Sequence, residues 1–138
     1  CAGIDALASS GVVGTLLPGT TFFLGKHNYA PYKELKNKGV HIAIATDYNP
    51  GSCSIQSMSF IIMLSCIYLH MNILEALKSS TYIAAKSLMM ENEIGSIEKG
   101  KKADILIWNL SRVEEIPYTV DSQQLNEILK NGKSIFTA

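Results

Sequence analysis

Asp47 is the side chain of this sequence best placed to do chemistry. It follows the apolar run Val40-His41-Ile42-Ala43-Ile44-Ala45 and opens the turn-rich stretch Tyr48-Asn49-Pro50-Gly51-Ser52. An unbroken apolar run reads as a strand buried on both faces of a parallel sheet. In an α/β barrel the C-terminal ends of the strands carry the chemistry, so a carboxylate there is a candidate metal ligand or proton acceptor. Gly51 has no side chain and lets backbone come close to a substrate. A strand-terminal Asp also caps a following helix, and Asn49 and Ser52 are favoured turn residues, so a purely structural turn accounts for the same pattern.

The other reactive side chains are dispersed. His27, His41 and His70 form no HxH or HExxH pair. His41 lies inside the apolar run and is expected to be a hydrogen-bonded core histidine. Cys1, Cys53 and Cys66 are odd in number and lack CxxC spacing, which argues against a disulfide framework or zinc ribbon and suits a reducing, cytoplasmic compartment. Among the 138 residues, 12 basic and 12 acidic side chains leave no electrostatic footprint for nucleic acid. The 47% hydrophobic content is that of an ordinary globular protein. The longest apolar stretch, residues 60–69, is about half of the roughly 20 residues a membrane span needs. The first residues, Cys1-Ala2-Gly3-Ile4, do not resemble a signal peptide. Ile4, Leu7 and Ala8 stand at helical spacing before Gly11, as in the middle of a helix, so a fragment of a longer protein is expected.

The elements that position Asp47 can be read around it. Val12-Val13-Gly14-Thr15-Leu16-Leu17 is a second short apolar run, stopped by Pro18-Gly19. A long loop is expected over residues 19–29, on the strand-exit side where function tends to sit. Pro31 suits the first turn of a helix, and Gly39 suits its end. Strand, loop, helix and strand make a βαβ unit. Residues 55–71 are apolar almost all round and predict a buried helix. Asn72 and Glu75 have capping-box spacing ahead of a helix over residues 73–90. Beyond residue 91 the pattern changes: residues 103–108 read as a strand, and Asn131-Gly132 stands between two strand-like segments, a strong hairpin signal.

Gly95-Ser96-Ile97-Glu98-Lys99-Gly100-Lys101-Lys102-Ala103-Asp104-Ile105-Leu106-Ile107 resembles the segment by which the metal-dependent amidohydrolase superfamily leaves its (β/α)8 barrel and completes a small β-sandwich. Its role there is structural. Residues 15–20, Phe22-Phe23-Leu24, the Asp47 stretch, Ser57-Met58 and Pro117-Tyr118 narrow the resemblance. They are similar to the branch that opens the imidazolone ring of a propionate-bearing substrate to N-formimidoyl-glutamate in histidine degradation. The resemblance covers essentially the whole chain. Ile83 departs from it, standing where Asn is usual, and Met89 stands where Gly is usual; both departures are expected to affect local packing.

The resemblance implies an α/β fold, with about the last two βα units of the barrel over residues 1–90 and C-terminal strands of the composite β-sandwich over residues 91–138. It implies one divalent metal ion, zinc or iron, with Asp47 as ligand and as holder of the nucleophilic water's proton. The remaining His ligands and the general acid–base Glu and His would lie upstream. Asn49, Gly51 and Ser52 would anchor the substrate's propionate through an amide NH2, a backbone N–H and a hydroxyl. Tyr48 is expected to pack. The complete protein would be a cytoplasmic homodimer acting on a small molecule, with neither nucleic acid nor membrane as partner. A catalytic zinc generally takes three protein ligands and a complete barrel roughly 250 residues, so the chain alone is expected not to catalyse.

Two other functions fit the same residues. Another metal-dependent amidohydrolase, such as a cytosine or guanine deaminase relative, would share the Asp and the residue 95–104 segment but usually lacks the Asn-Pro-Gly-Ser continuation. A truncated or assembly chain without catalysis would carry the site as a vestige.

Overall fold

The two apolar runs form adjacent strands, and this adjacency decides where the functional loops fall. The structure, a computed structural model, describes residues 2–119 and 124–137. Cys1 of the cysteine count lies outside the described residues. Strands β1 (Gly14–Leu16) and β2 (Ile42–Ile44) pair in parallel, Gly14 opposite Ile42 and Leu16 opposite Ile44. Parallel neighbours exit on the same side, so Pro18-Gly19 and Thr46-Asp47 leave the sheet side by side. All three residues of β2 are buried. His41, expected in the core, is exposed just before β2 and contributes its carbonyl, which accepts from Gly14 N at 2.8 Å. The regular strand starts two residues later than the apolar run suggested, and the imidazole stays in solvent.

Helices α1 (Ala2–Ser10), α2 (Pro18–Phe23) and α3 (Tyr32–Asn37) surround this pair in sequence. The long loop expected from residue 19 is therefore partly helical. Pro18 takes the first turn of α2, where its missing N–H costs no hydrogen bond, and Gly25 at φ +63° closes it. Gly39, at φ +79°, ends α3 with bonds from Gly39 N to Lys36 O and Val40 N to Leu35 O, a Schellman motif as its position suggested.

Helix α4 (Met58–Tyr68) starts at Ser57, whose hydroxyl accepts from Phe60 N at 3.2 Å. Ile61, Ile62 and Leu64 join Leu16, Ile42 and Ile44 in the core. The buried Ser65 hydroxyl donates to Ile61 O at 2.8 Å, so no polar group is orphaned there. Coverage is incomplete: Ile67 and Tyr68 are exposed, although the Tyr68 ring stacks on Tyr29 at 4.5 Å.

Helix α5 (Ile73–Ser80) carries the capping box, Glu75 N donating to Asn72 Oδ1 and Asn72 N to Glu75 Oε2, both at 2.9 Å. The Lys36 ammonium also binds Glu75, tying α3 to α5. That hydrogen bond, ahead of the backbone bond from Asn72, holds the Glu75 carboxyl below the usual range. Burial, reinforced by Glu75, pushes the Tyr32 hydroxyl up to about 12.

The helix expected over residues 73–90 is broken at Thr81 (φ −122°, ψ −89°), and α6 (Tyr82–Ser87) follows. The Ser80 and Thr81 hydroxyls both donate to Leu77 O, at 3.0 and 2.7 Å, displacing the backbone N–H that would continue the helix. Beyond it, β3 (Ile105–Trp108), helix α7 (Glu115–Tyr118), β4 (Leu125–Lys130) and β5 (Lys133–Thr137) complete the chain. The three strands form an antiparallel sheet in the order β3-β4-β5. Asn131 and Gly132 have φ +49° and +74°, the backbone of a type I′ turn that their pairing predicts. Among the described residues no helix is long and apolar enough to cross a membrane.

Candidate functional site

Asp47 sits beyond the end of β2, partly buried, with φ +52°. A non-glycine residue rarely takes this left-handed backbone, and Asp is among the side chains that tolerate it best. The conformation costs about 1 kcal/mol or more and persists only where neighbours fix it. Those neighbours are identifiable. Thr20 Oγ1, on α2, donates to Asp47 Oδ2 at 2.7 Å. Asn49 Nδ2 donates to the Asp47 carbonyl at 2.6 Å. Asp47 Oδ1 accepts no hydrogen bond from the described residues.

The loop after Asp47 is closed on itself. Gly51 N and Ser52 N both donate to Asn49 Oδ1, at 2.9 and 2.8 Å, and Asn49 Nδ2 reaches Ser52 Oγ at 3.1 Å. Asn49 N donates to Cys53 O at 2.8 Å. The three residues expected to hold a substrate carboxylate are thus brought together within one turn, with their donors directed to Asn49 or supplied by it. Tyr48, expected to pack, is 57% exposed, because the αL backbone at Asp47 turns the next side chain outward.

The loop is seated on α2 by close contact. Cys53 is fully buried and its thiol donates to Thr46 O at 3.3 Å. A Cβ built on Gly19 would stand 2.6 Å from Ile61 Cδ1, 3.4 Å from Cys53 Sγ and 3.5 Å from Thr46 O. A side chain there would have to displace the buried Ile61, so glycine lets α2 pack closely at this point. Thr20 was not singled out by sequence reasoning as part of the site. Its signal was present: it stands just after the β1 exit, and parallel pairing places that exit beside Asp47.

Among the described residues no group of three His, Cys, Asp or Glu side chains comes together in a metal-binding arrangement. At the exit of β2, Asp47 offers an oxygen donor of the right chemistry, with one carboxylate oxygen engaged and the other accepting no hydrogen bond from the described residues.

The amidohydrolase family profile matches residues 4–136. The chain belongs to the amidohydrolase family. Among curated relatives it is 39% identical over 133 residues to the imidazolonepropionase of Bacillus velezensis, covering 96% of this chain and 32% of that protein. It is 41% identical over 134 residues to the imidazolonepropionase of Fusobacterium nucleatum, covering 97% and 32%. The chain therefore spans about a third of the length of the relatives it matches. Among solved structures, a zinc-bound adenosine deaminase from Xanthomonas campestris superposes with TM-score 0.84 at 24% identity, over 99% of this chain and 34% of that one. A mutant atrazine chlorohydrolase from Arthrobacter aurescens, complexed with zinc and atraton, superposes with TM-score 0.87 at 19% identity, over 99% and 34%. These likenesses establish the α/β amidohydrolase fold. The family is generally metal-dependent, as expected from the resemblance.

Proposed function

We propose that this chain is the C-terminal third of an imidazolonepropionase. It would hydrolyse the ring C–N bond of 4-imidazolone-5-propanoate to N-formimidoyl-L-glutamate. Residues 1–90 would supply about the last two βα units of a (β/α)8 barrel, and residues 91–138 the C-terminal strands of a composite β-sandwich. The observation that carries the reading is the coincidence of two features. The curated relatives at 39 and 41% identity bear that name, and a left-handed Asp with a free carboxylate oxygen stands at the end of a barrel-type strand.

Asp47 would be one ligand of a divalent ion, zinc or iron, the other ligands coming from outside this chain. When bound, the ion lowers the pKa of water so that a nucleophile is available at neutral pH. Asp47 serves through its open Oδ1, and its negative charge lets it take up the proton released on attack. The loop from Asn49 to Ser52 takes the propionate. Its present geometry supports this role, since Gly51 N and Ser52 N converge on one oxygen, that of the Asn49 amide. A carboxylate oxygen brought to that position would meet the same two donors, the amide and the Ser52 hydroxyl then turning to it. The complete enzyme would act as a homodimer in the cytoplasm on this small molecule. The 138-residue chain alone would be inactive.

Product analysis tests this reading. The complete protein, incubated with the imidazolone propanoate, is expected to yield N-formimidoyl-glutamate with no ammonia. Turnover of guanine or cytosine with ammonia release, and none of the imidazolone, would replace the reading with a deaminase.

A further inference from the structure

We infer that Thr20 is a positioning residue, which fixes the Asp47 carboxylate so that Oδ1 alone faces the reaction. The inference rests on the assignment of Asp47 proposed above and extends it to a residue on a different element. A free aspartate rotates its carboxylate and exchanges its two oxygens, so a ligand that must present one oxygen in one direction loses entropy each time it binds. Here the exchange is blocked by a 2.7 Å hydrogen bond from Thr20 Oγ1 to Oδ2, made across 27 positions of sequence. A hydroxyl bonded to a carboxylate is among the stronger protein hydrogen bonds.

The donor itself is anchored without help from Asp47. Pro18 and Gly19 are buried, and Gly19 packs closely on the buried Ile61 side chain, a Cβ there standing 2.6 Å from Ile61 Cδ1, and lies in contact with the Thr46 carbonyl. Helix α2 is thereby held against the loop it serves. The other end of Asp47 is held by the Asn49 amide on its carbonyl oxygen. Backbone and carboxylate are therefore fixed from opposite directions, and the αL conformation is maintained between them. Thr21, the next residue, makes no side-chain hydrogen bond to the loop and serves as an internal control.

The test uses the complete protein loaded with zinc. Thr20→Val keeps the shape of the side chain and removes the donor, while Thr20→Ser keeps the donor and removes the methyl group. Thr20→Val is expected to lose zinc to a chelator at least about tenfold faster, and to lower kcat about 10- to 150-fold, the range for one hydrogen bond to a charged group. KM is expected to stay unchanged, because the substrate's carboxylate is held elsewhere. Thr20→Ser should restore both quantities, and Thr21→Val should leave both unaltered. If Thr20→Val fails to fold, Thr20→Ala carries the same comparison against Thr20→Ser.

Wild-type metal retention and kcat in the variant lacking the donor would overturn the inference, as would a Thr20→Ser protein no better than it. Asp47→Asn separates this from failure of the underlying assignment. A crippled Asp47→Asn beside an intact Thr20→Val removes only the role of Thr20. An intact Asp47→Asn removes the assignment on which it rests.

Discussion

Asp47 and Asn131 are two of the non-glycine residues that this chain places in the left-handed region, and their turns are stabilised in different ways. At Asn131-Gly132 the two residue types themselves favour the type I′ backbone that joins β4 to β5 directly, and bonds from Gly132 N to Ala103 O and from Asn131 N to Asp104 Oδ1, both at 2.9 Å, add to that preference. At Asp47 the geometry is imposed from outside, by Thr20 on α2, by Asn49 and by the buried seat of Cys53. A turn whose residue types prefer its backbone can be read from sequence. At Asp47 the backbone and one carboxylate oxygen are fixed by Thr20 and Asn49, and Oδ1 accepts no hydrogen bond from the described residues.

The contrast is open to experiment, beginning with the largest effect. In the complete protein, Asp47→Asn retains the shape but loses the charge, and kcat is expected to fall by several orders of magnitude with loss of bound metal. Steady-state kinetics with metal analysis measure both. The equivalent change at the hairpin, Asn131→Asp, should leave kcat unaffected.

Glycines sharpen the same difference through stability. Gly95, at φ +91°, lies so close to α6 that an added Cβ would be 2.7 Å from Ala85 Cβ and 3.0 Å from Thr81 O. Gly132, at φ +74°, would meet nothing nearer than Ala103 Cβ at 3.8 Å. Gly95→Ala should therefore cost about 2–5 kcal/mol, from strain and overpacking together. Gly132→Ala should cost about 1–2 kcal/mol, from the backbone alone. Urea unfolding midpoints would separate them.

A smaller effect is expected at Met89. It occupies the C′ position of a Schellman motif at φ +57°, with Met89 N on Lys86 O and Met90 N on Ala85 O, and its side chain is 90% exposed. This explains why glycine is usual there. Met89→Gly relieves the left-handed strain and should stabilise the protein by about 0.5–1 kcal/mol, after the entropy cost of glycine is subtracted. The smallest effect concerns pH at the hairpin. Lys130, and then Asn131 N, hold the Asp104 carboxyl below its usual value. The carboxylate form is thus favoured by folding, so its contribution is present above the unfolded value near ~3.9 and is lost as pH falls through the lower folded one. Hydrogen exchange at the Asn131 amide should accelerate over that acid range, relative to the pH trend of other β4–β5 amides. Asp104→Asn should abolish the excess.

The same distinction explains what was legible in the sequence. The Asn131-Gly132 hairpin and the Asn72–Glu75 capping box are local patterns, and each appears where its spacing put it, whereas the α4 start at the Ser57 cap falls three residues later than the apolar run at residue 55 implied. The exit of β2 at an aspartate was equally readable from the apolar run. What escaped was set by tertiary context. His41 is exposed because regular pairing begins one residue after it, and the break at Thr81 comes from two hydroxyls competing for one carbonyl. Thr20 stands 27 positions from Asp47, and the link becomes legible only when the parallel pairing of β1 and β2 is followed to the exits of both strands, where Thr20 Oγ1 lies 2.7 Å from Asp47 Oδ2. The engagement of the Asn49 side chain by its own loop is the turn that the residue types Asn49 and Ser52 already allowed.

The most direct test of the site is a crystal structure of the complete protein loaded with zinc. The expected result is Asp47 Oδ1 in the coordination shell at about 2.0–2.2 Å, the usual zinc–carboxylate distance, with Oδ2 still accepting from Thr20. A zinc ion bound by other side chains, with Asp47 outside its coordination shell, would contradict the assignment.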